Sequence, residues 1–157
     1  MTSESKITIV EESPDTLDSI QLINELDAQL TSHAYPQESR HAFSVDKLLR
    51  ENVAFFVIRY NGAPAGCGGI KLFDNGYGEV KRMYVRPEYR GLGLAKGILR
   101  RLTDHALMNG INVLRLETGI HQVEAIGLYE SFGFERRAPF GTYKEDPMSV
   151  YFELTVR

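Results

Sequence analysis

The 157-residue sequence predicts a mixed α/β fold, with a mostly antiparallel sheet flanked by helices. Three observations carry that prediction. Apolar strands joined by tight turns fill the middle of the chain: Ala54-Phe55-Phe56-Val57-Ile58 and residues 67–73 meet across Asn61-Gly62, and a charged strand follows across Asp74-Asn75-Gly76. Helical spacing brackets them, in Leu17, Ile20, Ile23, Leu26 and Leu30 and again in Leu94, Ile98, Leu99, Leu102 and Ala106. No repeat, low-complexity tract or linker interrupts the pattern, so residues 1–157 are read as one domain.

In order, Ile7-Thr8-Ile9-Val10 reads as a short strand, and Ser13 followed by Pro14 reads as the cap and first position of the first helix. Residues 31–44 are polar and irregular, and a short helix carries Val45, Leu48 and Leu49. After the three central strands, a helix from about Gly91 to Met108 stops at Asn109-Gly110. A strand over 113–117, a helix over 123–132 ending at Gly133, and strands over 134–137 and 149–154 complete the chain.

Composition excludes several classes. A formal charge of −3 and a pI near 5.8 without any basic run argue against nucleic-acid partners. No stretch approaches the roughly 20 apolar residues of a membrane span. Met1-Thr2-Ser3-Glu4-Ser5 lacks the basic and apolar regions of a leader, so the cytoplasm is the expected location. The single cysteine, Cys67, rules out an intrachain disulfide and a Cys-based zinc cluster, and the histidine spacings match no metal motif.

The turn Arg90-Gly91-Leu92-Gly93-Leu94-Ala95 precedes a helix, where unpaired N–H groups and the aligned peptide dipoles attract an anion. Arg90 adds a permanent charge, and the small residues let a phosphate oxygen approach the main chain. Neither the Walker spacing nor a full dinucleotide fingerprint is present, and a plain flexible helix start has the same look.

The strand Glu79-Val80-Lys81-Arg82-Met83-Tyr84-Val85 is anomalous, because a strand feeding a crossover helix should be nearly continuously apolar. Simple alternation puts Glu79, Lys81 and Met83 on one face and Val80, Arg82 and Tyr84 on the other. Glu79 is then either ion-paired, with Lys81 or Arg82 at a sheet edge, or near an open cleft, or at the wet end of the strand.

These features coincide with a known pattern. Arg90-x-x-Gly93-x-Ala95 resembles the acyl-CoA signature of the GNAT superfamily of N-acetyltransferases, residues 79–85 resemble its fourth strand, and Ala125-x-x-Leu128-Tyr129-x-x-x-Gly133-Phe134 resembles its late helix. Residues 36–42, Leu116-Glu117-Thr118-Gly119 and residues 139–152 are similar to a poorly characterised bacterial subgroup. The resemblance implies a sheet splayed between strands four and five and acetyl-CoA as co-substrate without a metal. It implies transfer to an amine by direct attack.

That reaction needs a neutral amine, whereas an alkylammonium has a pKa near 10, so a base is required. Glu79 stands eleven residues before Arg90, where many relatives carry theirs; Glu117 on the next strand is the rival, or else a partner of Arg82 or Arg115. The resemblance gives Tyr129 a role in protonating or hydrogen-bonding the departing thiolate, while a merely packed tyrosine would look the same. It also implies donor binding by the main chain of Met83, Tyr84 and Val85 and by residues 90–95, namely Arg90, Gly91, Leu92, Gly93, Leu94 and Ala95. Gln122 stands where many relatives have an asparagine that reaches the pantetheine arm. Tyr35, Arg40, His41, Glu117, His121 and Tyr143 are the candidate acceptor contacts. Cys67 between Gly66 and Gly68 reads as a small core residue, with a covalent acyl carrier as the alternative.

The expected acceptor is a small, amine-bearing or amino-acid-like metabolite. A protein or peptide amine and, in a different class, a CoA-binding sensor without turnover are the rivals. No nucleic-acid or membrane partner is expected, and a homodimer through sheet edges or C-terminal strands is the assembly that the resemblance allows.

Overall fold

The computed structural model describes residues 4–31 and 44–157. Their strands are β1 (Ile7–Glu11), β2 (Ala54–Tyr60), β3 (Ala63–Phe73), β4 (Tyr77–Val85), β5 (Val113–Gly119), β6 (Glu135–Arg137) and β7 (Ser149–Thr155). The helices are α1 (Leu17–Thr31), α2 (Val45–Arg50), α3 (Leu94–Met108) and α4 (Val123–Phe132). The strands form one sheet in the order β1-β2-β3-β4-β5-β7-β6, antiparallel at every junction except the parallel β4–β5 pair.

Turn chemistry sets the first half. Asn61 and Gly62 have φ of 50° and 85°, the left-handed pair that closes a two-residue hairpin with the natural strand twist. β2 is apolar from Ala54 to Ile58 because both faces are covered there. Phe56 and Ile58 pack with α3, while Phe55 and Val57 pack with Leu22, Ile23 and Leu26 of α1 and Leu48 of α2.

The first helix starts later than Ser13-Pro14 suggests. Ser13 bonds Asp15, and the hydroxyl of Thr16 caps instead, accepting from the Ser19 amide at 3.2 Å. Its buried stripe is Ser19, Leu22, Ile23 and Leu26, whereas Leu17 is 87% exposed. Similarly, α3 begins at Leu94 rather than Gly91, because Gly91 and Gly93 hold φ of 82° and 78°, outside the helical region. The stripe from Leu94 to Ala106 is buried as its spacing predicts. α4 ends where expected: Gly133 has φ 115°, and the Phe134 amide bonds the Tyr129 carbonyl at 3.0 Å.

Two features shape the centre. β4 lies inside the sheet, so Glu79 is not at a sheet edge. The β3–β4 register also slips: Cys67 faces Tyr84 and Gly69 faces Lys81, leaving Gly68 against both Arg82 and Met83. This bulge, with Arg82 at φ 58°, breaks the simple alternation. Arg82 and Tyr84 turn toward α1, with Tyr84 in that core cluster, whereas Val80, Met83 and Val85 pack on the α3 side. Further on, β4 and β5 pair only at Gly78–Leu114 and Glu79–Arg115 and then diverge.

Candidate active site

The divergence of β4 and β5 opens a cleft of about 700 Å³ between the α3 turn and the start of α4, lined by Met83, Val85, Arg90, Gly91, Gly93, Ala95, His121, Gln122 and Tyr129 among others. The left-handed backbone at Gly91 and Gly93 follows from the absence of a side chain, and the space beside both is open, so the α3 amides are approachable. Leu94 belongs to this wall although its side chain is buried in the core. Leu92 does not line the cleft; its side chain is 46% exposed.

Arg90 is held at the mouth. Its Nε donates to the Val85 carbonyl at 3.0 Å and its Nη2 to Gln29 Oε1 at 2.6 Å, with Glu124 Oε2 3.6 Å from Nη1. Gln29 in turn donates to Gln122 Oε1 at 3.4 Å. Gln122 precedes α4 without spending its side chain on capping, and its Nε2 is buried without a hydrogen-bond partner. A buried amide donor of this kind suits a carbonyl-bearing ligand, so the residues present fit the pantetheine arm of an acyl-CoA.

A second cavity of about 160 Å³ adjoins the cleft and shares Gln29, Met83, Gln122, Ala125 and Tyr129 with it. Glu79, Lys81, Arg82, Glu117, Thr118 and Tyr143 complete its polar wall. Glu79 is only 4% exposed; its Oε2 accepts from the Tyr143 hydroxyl at 2.6 Å and from Lys81 Nζ at 3.0 Å. The ion pair foreseen between Glu79 and Lys81 therefore exists, but in the wall of a cavity. Burial and the neighbouring Glu79 charge push the Tyr143 phenol far above its ordinary pKa, so it stays a donor.

Glu117 accepts from the Ser149 hydroxyl at 2.7 Å. It pairs with neither arginine named from the sequence: Arg82 takes Asp27, and Arg115 takes Glu153 while stacking on Tyr77. Tyr129 stands between the two cavities, 5% exposed, with its ring edge-on to Phe134. Burial, and secondarily the charge of Glu117, hold its pKa well above the usual value.

Other placements differ from the sequence reading. Tyr84 reaches the cleft through its position on β4, but its hydroxyl points to α1 and donates to Glu25 at 3.1 Å. Cys67 is fully buried, its thiol donates to the Arg82 carbonyl, and burial pushes its pKa up to about 12, so no thiolate nucleophile forms near neutrality. Tyr35, Arg40 and His41 lie outside the described residues. Gln29, Asp27 and Arg82 were missed because nothing local in α1 or β4 signals a cross-sheet contact. The one available signal was a buried arginine in a strand that should have been apolar. Among the described residues, no group of three or more His, Cys, Asp or Glu could hold a metal, and no helix is long and apolar enough to cross a membrane.

Comparison with known proteins fits this geometry. Residues 20–134 match the family described as Acetyltransferase (GNAT) family. The chain is 43% identical over 148 residues to a protein of Azospirillum brasilense named IAA acetyltransferase, covering 94% of this chain and 96% of that one. It is 37% identical over 134 residues to an uncharacterised N-acetyltransferase of Bacillus subtilis, covering 84% and 88%. A crystal structure from Klebsiella pneumoniae, assigned as an acyl-CoA N-acyltransferase, superposes with a TM-score of 0.82 at 36% identity, covering 96% and 98%. With its fold, split sheet and Arg90 turn in agreement, the chain belongs to the GNAT family of acetyltransferases, enzymes that take their acyl group from acetyl-CoA.

Proposed function

We propose that this enzyme acetylates the primary amine of a small metabolite or amino-acid-like acceptor by direct attack, with both substrates bound together. The observation that carries the reading is the junction of the two cavities at Met83, Gln122, Ala125 and Tyr129, with the buried carboxylate of Glu79 and the half-buried one of Glu117 on the smaller side. A small, walled cavity also suits a metabolite better than a peptide, which needs an open groove. The relative named IAA acetyltransferase supports a small acceptor as well.

Glu79 is the base in this reading, positioned by Tyr143 and Lys81, and Glu117 offers a second carboxylate to the incoming ammonium. Main-chain donors on β4 near Met83 meet the developing oxyanion, and Arg90 with the α3 turn holds the pyrophosphate. Tyr129 acts as a hydrogen-bond donor to the leaving sulfur. Its raised pKa makes full proton transfer to a thiolate of pKa near 8.5 uphill by about 2 kcal/mol or more, so it stabilises the charge without giving up the proton.

Thiol release from acetyl-CoA over a panel of amines, amino acids and short peptides tests this. Turnover on a small amine is expected, with Glu79→Gln lowering kcat/KM about 100-fold and Tyr129→Phe about tenfold. Turnover on peptides alone, or undiminished rates in both variants, would sink the reading.

A further inference from the structure

Native interiors seldom leave a buried donor unpaired, since each such group costs about 1–3 kcal/mol. Among the described residues two buried side-chain atoms lack a hydrogen-bond partner, Arg82 Nε and Gln122 Nε2, and both residues line the same 160 Å³ cavity. The second is accounted for by the donor substrate. The first is not.

Arg82 is 8% exposed, and its guanidinium carries five N–H donors in a fixed fork. Its Nη2 is used, at 2.6 Å to Asp27 Oδ1 and 3.3 Å to the Ile23 carbonyl, which locks the guanidinium against α1. The backbone beneath it is left-handed at φ 58°, a strained setting that proteins keep mainly where it serves a site. The other charges on this wall are committed to separate partners: Lys81 to Glu79, which also accepts from Tyr143, and Glu117 to Ser149. The wall thus carries carboxylates at two points and, at a third, Arg82, whose Nε–H is buried and unspent. A bare amine answers only the carboxylates.

We infer that the cavity takes the carboxylate of its acceptor on Arg82, so that the acceptor class is an amine that also carries a carboxylate, such as an α-amino acid. This rests on the reading of the cavity as the acceptor site of an amine acetyltransferase. Arginine is the side chain suited to this task, because its planar donors match a carboxylate and its charge strengthens the bond. Arg82 lines the cavity that shares Met83, Gln122 and Tyr129 with the donor cleft, so a carboxylate held by Arg82 keeps a neighbouring amine within reach of that junction.

The test compares kcat/KM for leucine and isoamylamine, and for phenylalanine and phenethylamine, in the wild type and in Arg82→Lys. The lysine keeps the charge opposite Asp27 and removes the Nε donor. Because the amino acids are also weaker bases, the change in the acid-to-amine ratio between the two proteins is the deciding quantity. A fall of about tenfold in that ratio is expected. An unchanged ratio overturns the carboxylate subsite and leaves amine acetylation standing. If no acceptor turns over, it is amine acetylation that fails, and calorimetry of the CoA-loaded wild type with N-acetylleucine and N-acetylisoamylamine decides the subsite. Selective binding of the acid supports it, and equal or absent binding of the two overturns it whether or not Arg82→Lys folds.

Discussion

At Arg90, one guanidinium reaches the β4 carbonyl of Val85 and Gln29 of α1, at the rim where a pyrophosphate would approach the α3 amides. Reversing its charge removes a charge-assisted contact and adds repulsion, so Arg90→Glu should weaken CoA by about 2 kcal/mol or more, upwards of tenfold by calorimetry. Cys67 gives a second prediction at this scale. Its folded pKa is raised to about 12 from 9.0, so above pH 9 the unfolded chain binds fewer protons than the native one. Stability is therefore fully present below pH 9 and falls as pH rises toward 12, at up to about 1.4 kcal/mol per pH unit from this group. Tyr84, raised to about 12 by burial and its bond to Glu25, adds to the fall above pH 10. Urea melts should show an earlier decline in the wild type than in Cys67→Ala. Identical pH dependence would mean that the thiol does not titrate this way.

Among the elements, the β3–β4 pair depends on glycines that a reading of β4 alone does not reveal. A Cβ on Gly66 would collide with the Tyr84 carbonyl, and one on Gly68 would meet Ile98 and the Met83 sulfur at 2.6 Å and 2.7 Å. Gly66→Ala, which presses on backbone, should therefore cost more than 2 kcal/mol in urea unfolding and reduce CoA binding through the shifted β4. Gly62→Ala, with nothing within 4 Å, should cost only the left-handed backbone, about 1–2 kcal/mol. This is also where sequence legibility ended. Asn61-Gly62, Asp74-Asn75-Gly76 and Gly133 each state a local conformation, so the hairpins and the end of α4 were readable. The bulge was not, because its permission is written in β3 and its effect falls on β4. The same slip hid Arg82: alternation assigned it to the face of Val80, and it turned to α1 instead. Glu79, Arg90, Gln122 and Tyr129 could be named in advance from the family resemblance, whereas Gln29, and Asp27 through its bond to Arg82, reach the cavities only from a helix packed on the sheet.

For the whole molecule, the sheet is two blocks, β1 to β4 and β5 with β7 and β6, joined by two registered residue pairs. Contacts across that seam include those of α3 and α4, the side-chain chain from Arg90 through Gln29 to Gln122, the Tyr143–Glu79 bond and Arg115 over Tyr77. A ligand lying in the cleft touches both blocks and should be strongly linked to stability. At 100 times its Kd, CoA should add about 2.7 kcal/mol, roughly 5–10 °C in Tm for a chain of this size. Scanning fluorimetry that found no shift at saturating CoA would argue against binding in the cleft.

Beyond Glu79, the side of β4 that faces β5 has no strand registered beside it, although it lies in the middle of the molecule. It is an internal selvedge, with the appetite of any unpaired strand for an extended partner rich in amides. A linear arm with amide groups along its length is one such partner. If the acyl donor pairs with this edge as a strand would, a donor whose arm lacks amides should bind more weakly even when its thioester is sound.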